Sequence, residues 1–270
     1  MRINHNIQAL NAYRNLGNTN NATSKSLEKL SSGLRINRAA DDAAGLAISE
    51  KMRSQVRGLD MAERNSLDAI SLIQTAEGAL ASTHDILQRM RELAVQASND
   101  TLENTDRQAI QDEVTALTAE INRIAETTEF NQKKLLNGEL QEATFQIGAN
   151  ADQTLSLSIG NMDATTIGAG GLDFSTNGGA QDGISAIDTA IAKVSEQRSK
   201  LGAVQNRLEH TITNLQTANE NLTAAESRIR DLDMAEEMTQ FTRNNILNQA
   251  GQAMLAQANQ LPQGILQLLQ

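Results

Sequence analysis

Two long apolar stripes, each stepping by threes and fours, constrain this chain more than any other feature. One runs through Ile48, Met52, Val56, Leu59, Ala62, Ile70, Ile73, Leu80, Leu87, Ala94 and Ala97. The other runs through Ile187, Ile191, Val194, Leu201, Val204, Leu208, Ile212, Leu215, Ala218, Leu222, Ala225, Ile229 and Leu232, and from Leu201 onward its mean step is close to the coiled-coil value of about 3.5 residues. Such spacing places side chains on one face of a helix. The chain's single proline, Pro262, lies outside both stripes, so nothing in them forces a break. A stripe of this length is buried only against other helices. The fold class that follows is mainly α, an elongated antiparallel helical bundle or coiled coil.

Helices are expected over about 4–31, 42–98, 105–129 and 182–231. Asp41 or Asp42 can cap the second, and Thr105 to Gln108 has the look of a capping box for the third, whose stripe is Ile110, Val114, Leu117, Ile121 and Ile124. A short turn joins the second and third, so they lie antiparallel. After Phe130 the period changes to two: Thr144 to Ile147 and Leu155 to Ile159 alternate around Gly148 to Asp152, which predicts a small β-hairpin over about 143–159. Residues 160–183 hold seven glycines and read as an irregular, flexible crossover. Hydroxyls at Thr165, Thr166, Ser175 and Thr176 there are glycan acceptors only where a modifying enzyme is present.

Both ends carry stripes with no obvious partner. Ile3, Ile7, Leu10, Tyr13, Leu16, Leu27 and Leu30 mark the first, and Leu247, Ala250, Met254, Ala258, Leu261, Ile265 and Leu268 or Leu269 the last. Neither arm buries enough apolar surface by itself to repay the entropy of ordering it. The arms are therefore expected to stay loose until they pack against each other and against other copies.

Little points to chemistry. The chain has no cysteine, which excludes disulfides, thiolate metal sites and a Cys nucleophile. His5, His84 and His210 fall in no ligand spacing, and no phosphate loop, dinucleotide fingerprint or nucleophile elbow occurs. Adjacent Asp41 and Asp42 serve capping better than catalysis. No enzymatic activity, metal or cofactor is expected. The net charge of −10 divides as +5 over residues 1–40, −13 over 41–231 and −2 over 232–270. The scattered basic residues of the first arm and the lone Tyr13 make a poor nucleic-acid surface, and attraction to acidic segments of the same protein explains them better. No apolar run is long enough for a transmembrane helix, and the first residues lack a secretory apolar core. No membrane or nucleic-acid partner is expected. Arg228, Arg230, Asp231 and Asp233 form the densest charge cluster; four-residue spacing of Glu226 and Arg230 fits a solvated helix face, and the favoured reading is a junction between bundle and arm.

Several segments carry a family resemblance. Ser31 to Asn37 with Ala39 to Ile48, Gln88 to Gln96, Phe145 to Asn150, Ala225 to Asp233 and the tail from Asn244 to Gln270 together resemble bacterial flagellin, in the right order and across almost the whole chain. The glycine-rich stretch stands where larger flagellins insert outer domains. The resemblance implies that residues 1–41 pair with 232–270 as an inner, channel-lining domain and that 42–231 form the neighbouring rod domain. Arg35, Asp41 and Asp42 join the Arg228 to Asp233 cluster at that boundary. It implies a self-assembling structural subunit that is exported unfolded by the flagellar type III apparatus with an export chaperone, lacks signal cleavage, and adds to an extracellular flagellar filament beneath a cap. Hook-associated proteins are further implied partners. By motif matching, Arg89, Leu93 and Glu113 correspond to the family's Toll-like receptor contact patch; the same residues also fit a lateral contact between rods. Two other readings remain open: a hook-filament junction protein, and a helical signalling rod unrelated to flagella.

Overall fold

The computed structural model describes residues 6–268, with side chains described as far as Gln260. Six helices and four short strands follow in order. They are α1 (Ile7–Ser32), α2 (Ala43–Ala97), α3 (Asn104–Thr127), β1 (Glu129–Phe130), β2 (Lys133–Lys134), β3 (Ala143–Gln146), β4 (Thr154–Leu157), α4 (Ala164–Ile167), α5 (Asn177–Arg230) and α6 (Met234–Leu268). The chain forms two compact units, residues 1–54 with 221–270 and residues 55–220, so α2 and α5 each contribute to both.

The unit of residues 55–220 is built on heptad seams. Along α2 one seam of buried positions runs Ala62, Ser66, Ala69, Ile73, Ala76, Leu80, Thr83, Leu87, Met90, Ala94 and Ala97, alternating four and three, with Leu72 and Leu93 buried beside it. Along α5 the seam runs Ala180, Gly183, Ile187, Ala190, Val194, Gln197, Leu201 and Leu208 to Leu215. Strict seven-residue spacing keeps a seam facing its partner along the helix. The two helices run antiparallel, with Arg91 paired to Asp188 at 2.7 Å, Arg198 to Glu77 at 3.7 Å and Gln216 to Glu63 at 2.7 Å. α3 adds Ile110, Val114, Ile121 and Ala125 to the same core.

Helix ends differ from expectation in instructive ways. At the start of α3 the backbone N–H of Glu103 donates to Asp106 at 3.2 Å, so the capping pair is Glu103 and Asp106 and not a box opened at Thr105. Helix α5 starts at Asn177, ahead of the expected Asp182, because Thr176 accepts the Gly179 N–H at 3.2 Å as an N-cap. The β3–β4 hairpin is present, pairing Ala143 with Leu157 and Gln146 with Thr154. A second, smaller hairpin, β1–β2, turns through Asn131 and Gln132 at positive φ.

The glycine-rich crossover is far more ordered than its composition suggests. Phe174 is fully buried, and a Cβ on Gly183 would collide with its ring. Gln111 clamps the segment from α3, donating to the Leu172 carbonyl at 3.0 Å and accepting from the Phe174 N–H at 2.6 Å. Glycine at position 183 thus leaves room for an aromatic anchor.

The other unit pairs α1 with α6. Its seam on α1 is Ala9, Ala12, Leu16, Thr19, Thr23, Ser26 and Leu30, and on α6 Glu237, Phe241, Asn244, Asn248, Gly251, Leu255 and Ala258. Both alternate threes and fours without a break. Asn6 donates to the Ala258 carbonyl at 2.7 Å, Asn248 to the Thr23 hydroxyl at 2.9 Å, and Lys29 lies 4.0 Å from Glu237, which sets an antiparallel register.

Candidate assembly surface

The α1–α6 seam mixes small and polar side chains with Leu16, Leu30, Phe241 and Leu255, and other large apolar side chains face away from it. Ile7 and Leu10 stand two residues before Ala9 and Ala12, which on an α-helix is a rotation of about 200°. They are accordingly 64% and 62% exposed, with Tyr13 at 68% and Leu27 also exposed. On α6, Ile246, Leu247 and Met254 are exposed in the same manner, and so are Met234 and Met238 near its start. Among the described residues, the terminal stripe positions Leu16, Leu30 and Ala258 belong to the seam, while Ile7, Leu10, Leu27, Leu247 and Met254 face outward. Ile3 lies outside the described residues, as do the side chains of Leu261, Ile265 and Leu268. A groove of about 590 Å³ opens along the pair, lined by Asn15, Leu16, Leu247, Gly251 and Met254 among others. Large apolar side chains left exposed after the helices have paired mark an interaction face.

The junction residues come together tightly. Gly33 ends α1 in the left-handed conformation at φ +71°, and Leu34 then forms a β-bridge with Asp231. The Arg35 N–H donates to the Arg230 carbonyl at 2.7 Å, the Leu232 N–H donates to the Gly33 carbonyl at 3.1 Å, and the Arg35 guanidinium donates to the Ile229 carbonyl. Asp42 caps α2 by accepting the Gly45 N–H at 2.9 Å. Asp41 accepts from the N–H groups of Arg38 at 3.0 Å and Asn37 at 3.3 Å. Those amides, Arg38 foremost, with Lys25 and Lys29 nearby, hold its carboxyl below the usual aspartate range. Asp233 caps α6 through the Ala235 and Glu236 N–H groups at 2.9 and 3.2 Å.

Arg230 does not pair with Glu226 as its spacing suggested. It reaches Glu50 on α2 at 2.7 Å, with only 15% of its side chain exposed. Arg228 is exposed and takes no part in these contacts. Sequence reasoning missed Glu28, which grips Arg38 through two bonds of 2.8 and 3.0 Å, and Ile36, which is fully buried.

On the other unit, Arg89 binds Glu113 on α3 at 3.0 Å and Glu92 at 3.1 Å. The hydrogen bonds to Glu92 and then Glu113 raise the guanidinium's already high pKa. Leu93 is a correction: it is 2% exposed and packed in the core, so the exposed part of that trio is Arg89 with Glu113. Thr165, Thr166 and Thr176 are exposed and Ser175 is half-buried. Among the described residues no helix is long and apolar enough to cross a membrane, and no group of three His, Cys, Asp or Glu side chains is placed to hold a metal ion.

Two family models match the chain. The bacterial flagellin N-terminal helical region covers residues 3–141, and the bacterial flagellin C-terminal helical region covers residues 184–269. The chain belongs to the bacterial flagellins. Flagellins of Halalkalibacterium halodurans and Bacillus subtilis are 60% and 57% identical to it over the full length of both chains. A flagellar filament 33 kDa core protein of Treponema phagedenis is 50% identical over the same full extent. The crystal structure of Bacillus cereus flagellin matches at a TM-score of 0.53 and 33% identity, covering 60% of this chain and 94% of that one. A hook-associated protein structure from Vibrio parahaemolyticus, described as putative, matches at a TM-score of 0.61 and 14% identity over 71% of this chain and 100% of that one, a likeness of fold alone. As a flagellin, the chain is an extracellular structural subunit that polymerises into the flagellar filament, and its family is one of structural proteins.

Proposed function

We propose that the outward apolar faces of α1 and α6 are the polymerisation surface, and that this surface joins subunits into the filament that drives swimming. One observation carries the reading: Ile7, Leu10, Leu27, Leu247 and Met254 stay exposed after α1 and α6 have already paired. Burying a side chain of this size stabilises by about 2 kcal/mol, and repetition along a polymer multiplies it. Residues 1–41 and 232–270 then form the inner, channel-lining domain and 42–231 its neighbour, with Arg35, Asp41, Asp42, Arg230, Asp231 and Asp233 fixing the join.

The subunit travels unfolded through the type III apparatus, escorted by an export chaperone, without signal cleavage, and is placed beneath the cap beyond the hook-associated proteins. A chain without cysteine meets no disulfide obstacle on that route. Arg89 and Glu113, held together on an exposed face, present a charged patch that fits recognition of the monomer by a Toll-like receptor.

Seeded growth tests the central step. Purified protein added to sheared filament fragments grows long helical polymers, whereas a chain lacking residues 232–270 keeps a folded bundle and fails to elongate. Capped stubs from the intact chain identify a hook-filament junction protein instead, and normal filaments from the truncation refute the role given to α6.

A further inference from the structure

We propose that Asn137 is a site of spontaneous deamidation, made reactive by its loop and by Gly138. The chain contains two Asn-Gly pairs, Asn137-Gly138 and Asn177-Gly178. Deamidation of such a pair starts when the glycine's backbone nitrogen, having lost its proton to water or hydroxide, attacks the asparagine Cγ. The new N–Cγ bond closes a five-membered imide, the Cγ–Nδ2 bond breaks, and ammonia leaves. Water then opens the ring, giving aspartate when the bond to Cγ is cut and isoaspartate when the bond to the main-chain carbonyl is cut. No oxidant or reductant is needed.

The fold treats the two pairs differently. At Asn137 the side-chain oxygen accepts the Glu139 N–H at 3.0 Å. Such a turn folds the carboxamide back over the Asn137–Gly138 peptide and polarises the C=O that the nitrogen attacks. Gly138 sits at φ +83° in a non-helical loop, and both residues are partly exposed to solvent. Asn177 opens α5 instead. Its Nδ2 donates to the Ser98 carbonyl at 2.8 Å and to Asp100 at 2.7 Å, while its Oδ1 accepts from Gln181 at 3.2 Å. The leaving group is tied down, and helical geometry keeps the Gly178 nitrogen away from Cγ.

Two further residues separate the contribution of the turn from that of the glycine. Asn99 and Asn161 make the same backward turn, accepting from the Thr101 N–H at 3.3 Å and the Asp163 N–H at 3.0 Å, but are followed by Asp100 and Met162. A side chain on the following residue obstructs ring closure. Asn137 alone among these four combines the turn, the glycine and an irregular loop.

The product has a structural consequence. Segment 136–140 is fastened at both ends, with the Leu136 carbonyl accepting from the Met162 N–H at 2.8 Å and the Leu140 carbonyl from the Ile159 N–H at 3.1 Å. Gly138 also lies close against Asn161, whose Cβ would be 2.9 Å from an added Cβ. Isoaspartate lengthens the main chain by one methylene between those fastenings and therefore loosens them.

The test incubates the folded, full-length protein at neutral to mildly alkaline pH and follows each asparagine by peptide mass spectrometry, reading the gain of about 1 Da. A parallel urea-unfolded sample gives the intrinsic rates. Folded Asn137 is expected to convert on the order of tenfold faster than Asn177, Asn99 and Asn161, with the two Asn-Gly pairs drawing level after unfolding. Isoaspartate at 137 should speed hydrogen exchange at the Met162 and Ile159 amides. Folded Asn137 reacting no faster than folded Asn177 overturns the proposal.

Discussion

The backbone of Gly251 lies directly against the side chain of Leu16: a Cβ on Gly251 would stand 3.2 Å from Leu16 Cδ1. Both residues are in the α1–α6 seam, where a small residue lets the helices approach. Gly251→Ala asks only a terminal methyl to shift and gains up to about 1 kcal/mol of helix propensity, so it should be tolerated. Gly251→Leu forces the pair apart and should abolish elongation. Circular dichroism of the monomer with seeded growth distinguishes the two.

The outer face predicts a different phenotype. Leu247 is half-exposed in the single chain and outside the seam, so Leu247→Ala should leave monomer stability nearly unchanged. If the polymer buries it, the loss of about 2 kcal/mol raises the critical concentration for growth by about thirtyfold. Leu247→Asp should prevent growth altogether. A critical concentration equal to that of the parent chain would remove Leu247 from the interface.

The helices of the bundle were legible in the sequence because their seams include Ile73, Leu80, Leu87, Ile187, Leu201 and Leu208, large residues at helical spacing. The α1–α6 seam was not. Thr19, Thr23, Ser26, Asn244 and Asn248 occupy it, and a search for apolar periodicity passes over such residues and settles on the outward stripe. Ile7, Leu10 and Leu247 in that stripe lie on the face left exposed after pairing. Hairpin β1–β2 escaped notice because each strand has two residues, too few for a period. Burial of Leu93 was beyond a motif match, which carries residue type and no orientation. Glu50 could not be assigned to Arg230 because their pairing spans 180 positions of chain.

Asp41 supplies a pH prediction. Its carboxyl is held below the ordinary range by the Arg38 and Asn37 amides, so its contribution is complete above the unfolded value of about 3.9 and is lost as pH falls through the lower folded value. An NMR titration of the Arg38 amide should show a midpoint below about 3.9. Asp41→Asn keeps an acceptor and should remove that transition. A midpoint at or above the free-aspartate value would contradict the assignment.

The Arg89–Glu113 pair is exposed, and breaking such a pair costs about 0–1 kcal/mol. Arg89→Ala and Glu113→Ala should therefore melt close to the parent chain while lowering the response of cells bearing the Toll-like receptor. Leu93→Ala, which empties a core site, should cost about 2–5 kcal/mol and lower the melting temperature first. Equal responses from the Arg89 variant and the parent would leave the patch without that role.

Hydrogen exchange on residues 7–32 and 234–260, measured on dilute monomer and on filament, tests the central claim most directly. Weak protection in a monomer shown by sedimentation to be unassociated, rising steeply in the filament, is the expected result if the outward faces of α1 and α6 are buried by neighbouring subunits as proposed. Full protection already present in the isolated monomer, unchanged on polymerisation, would contradict it.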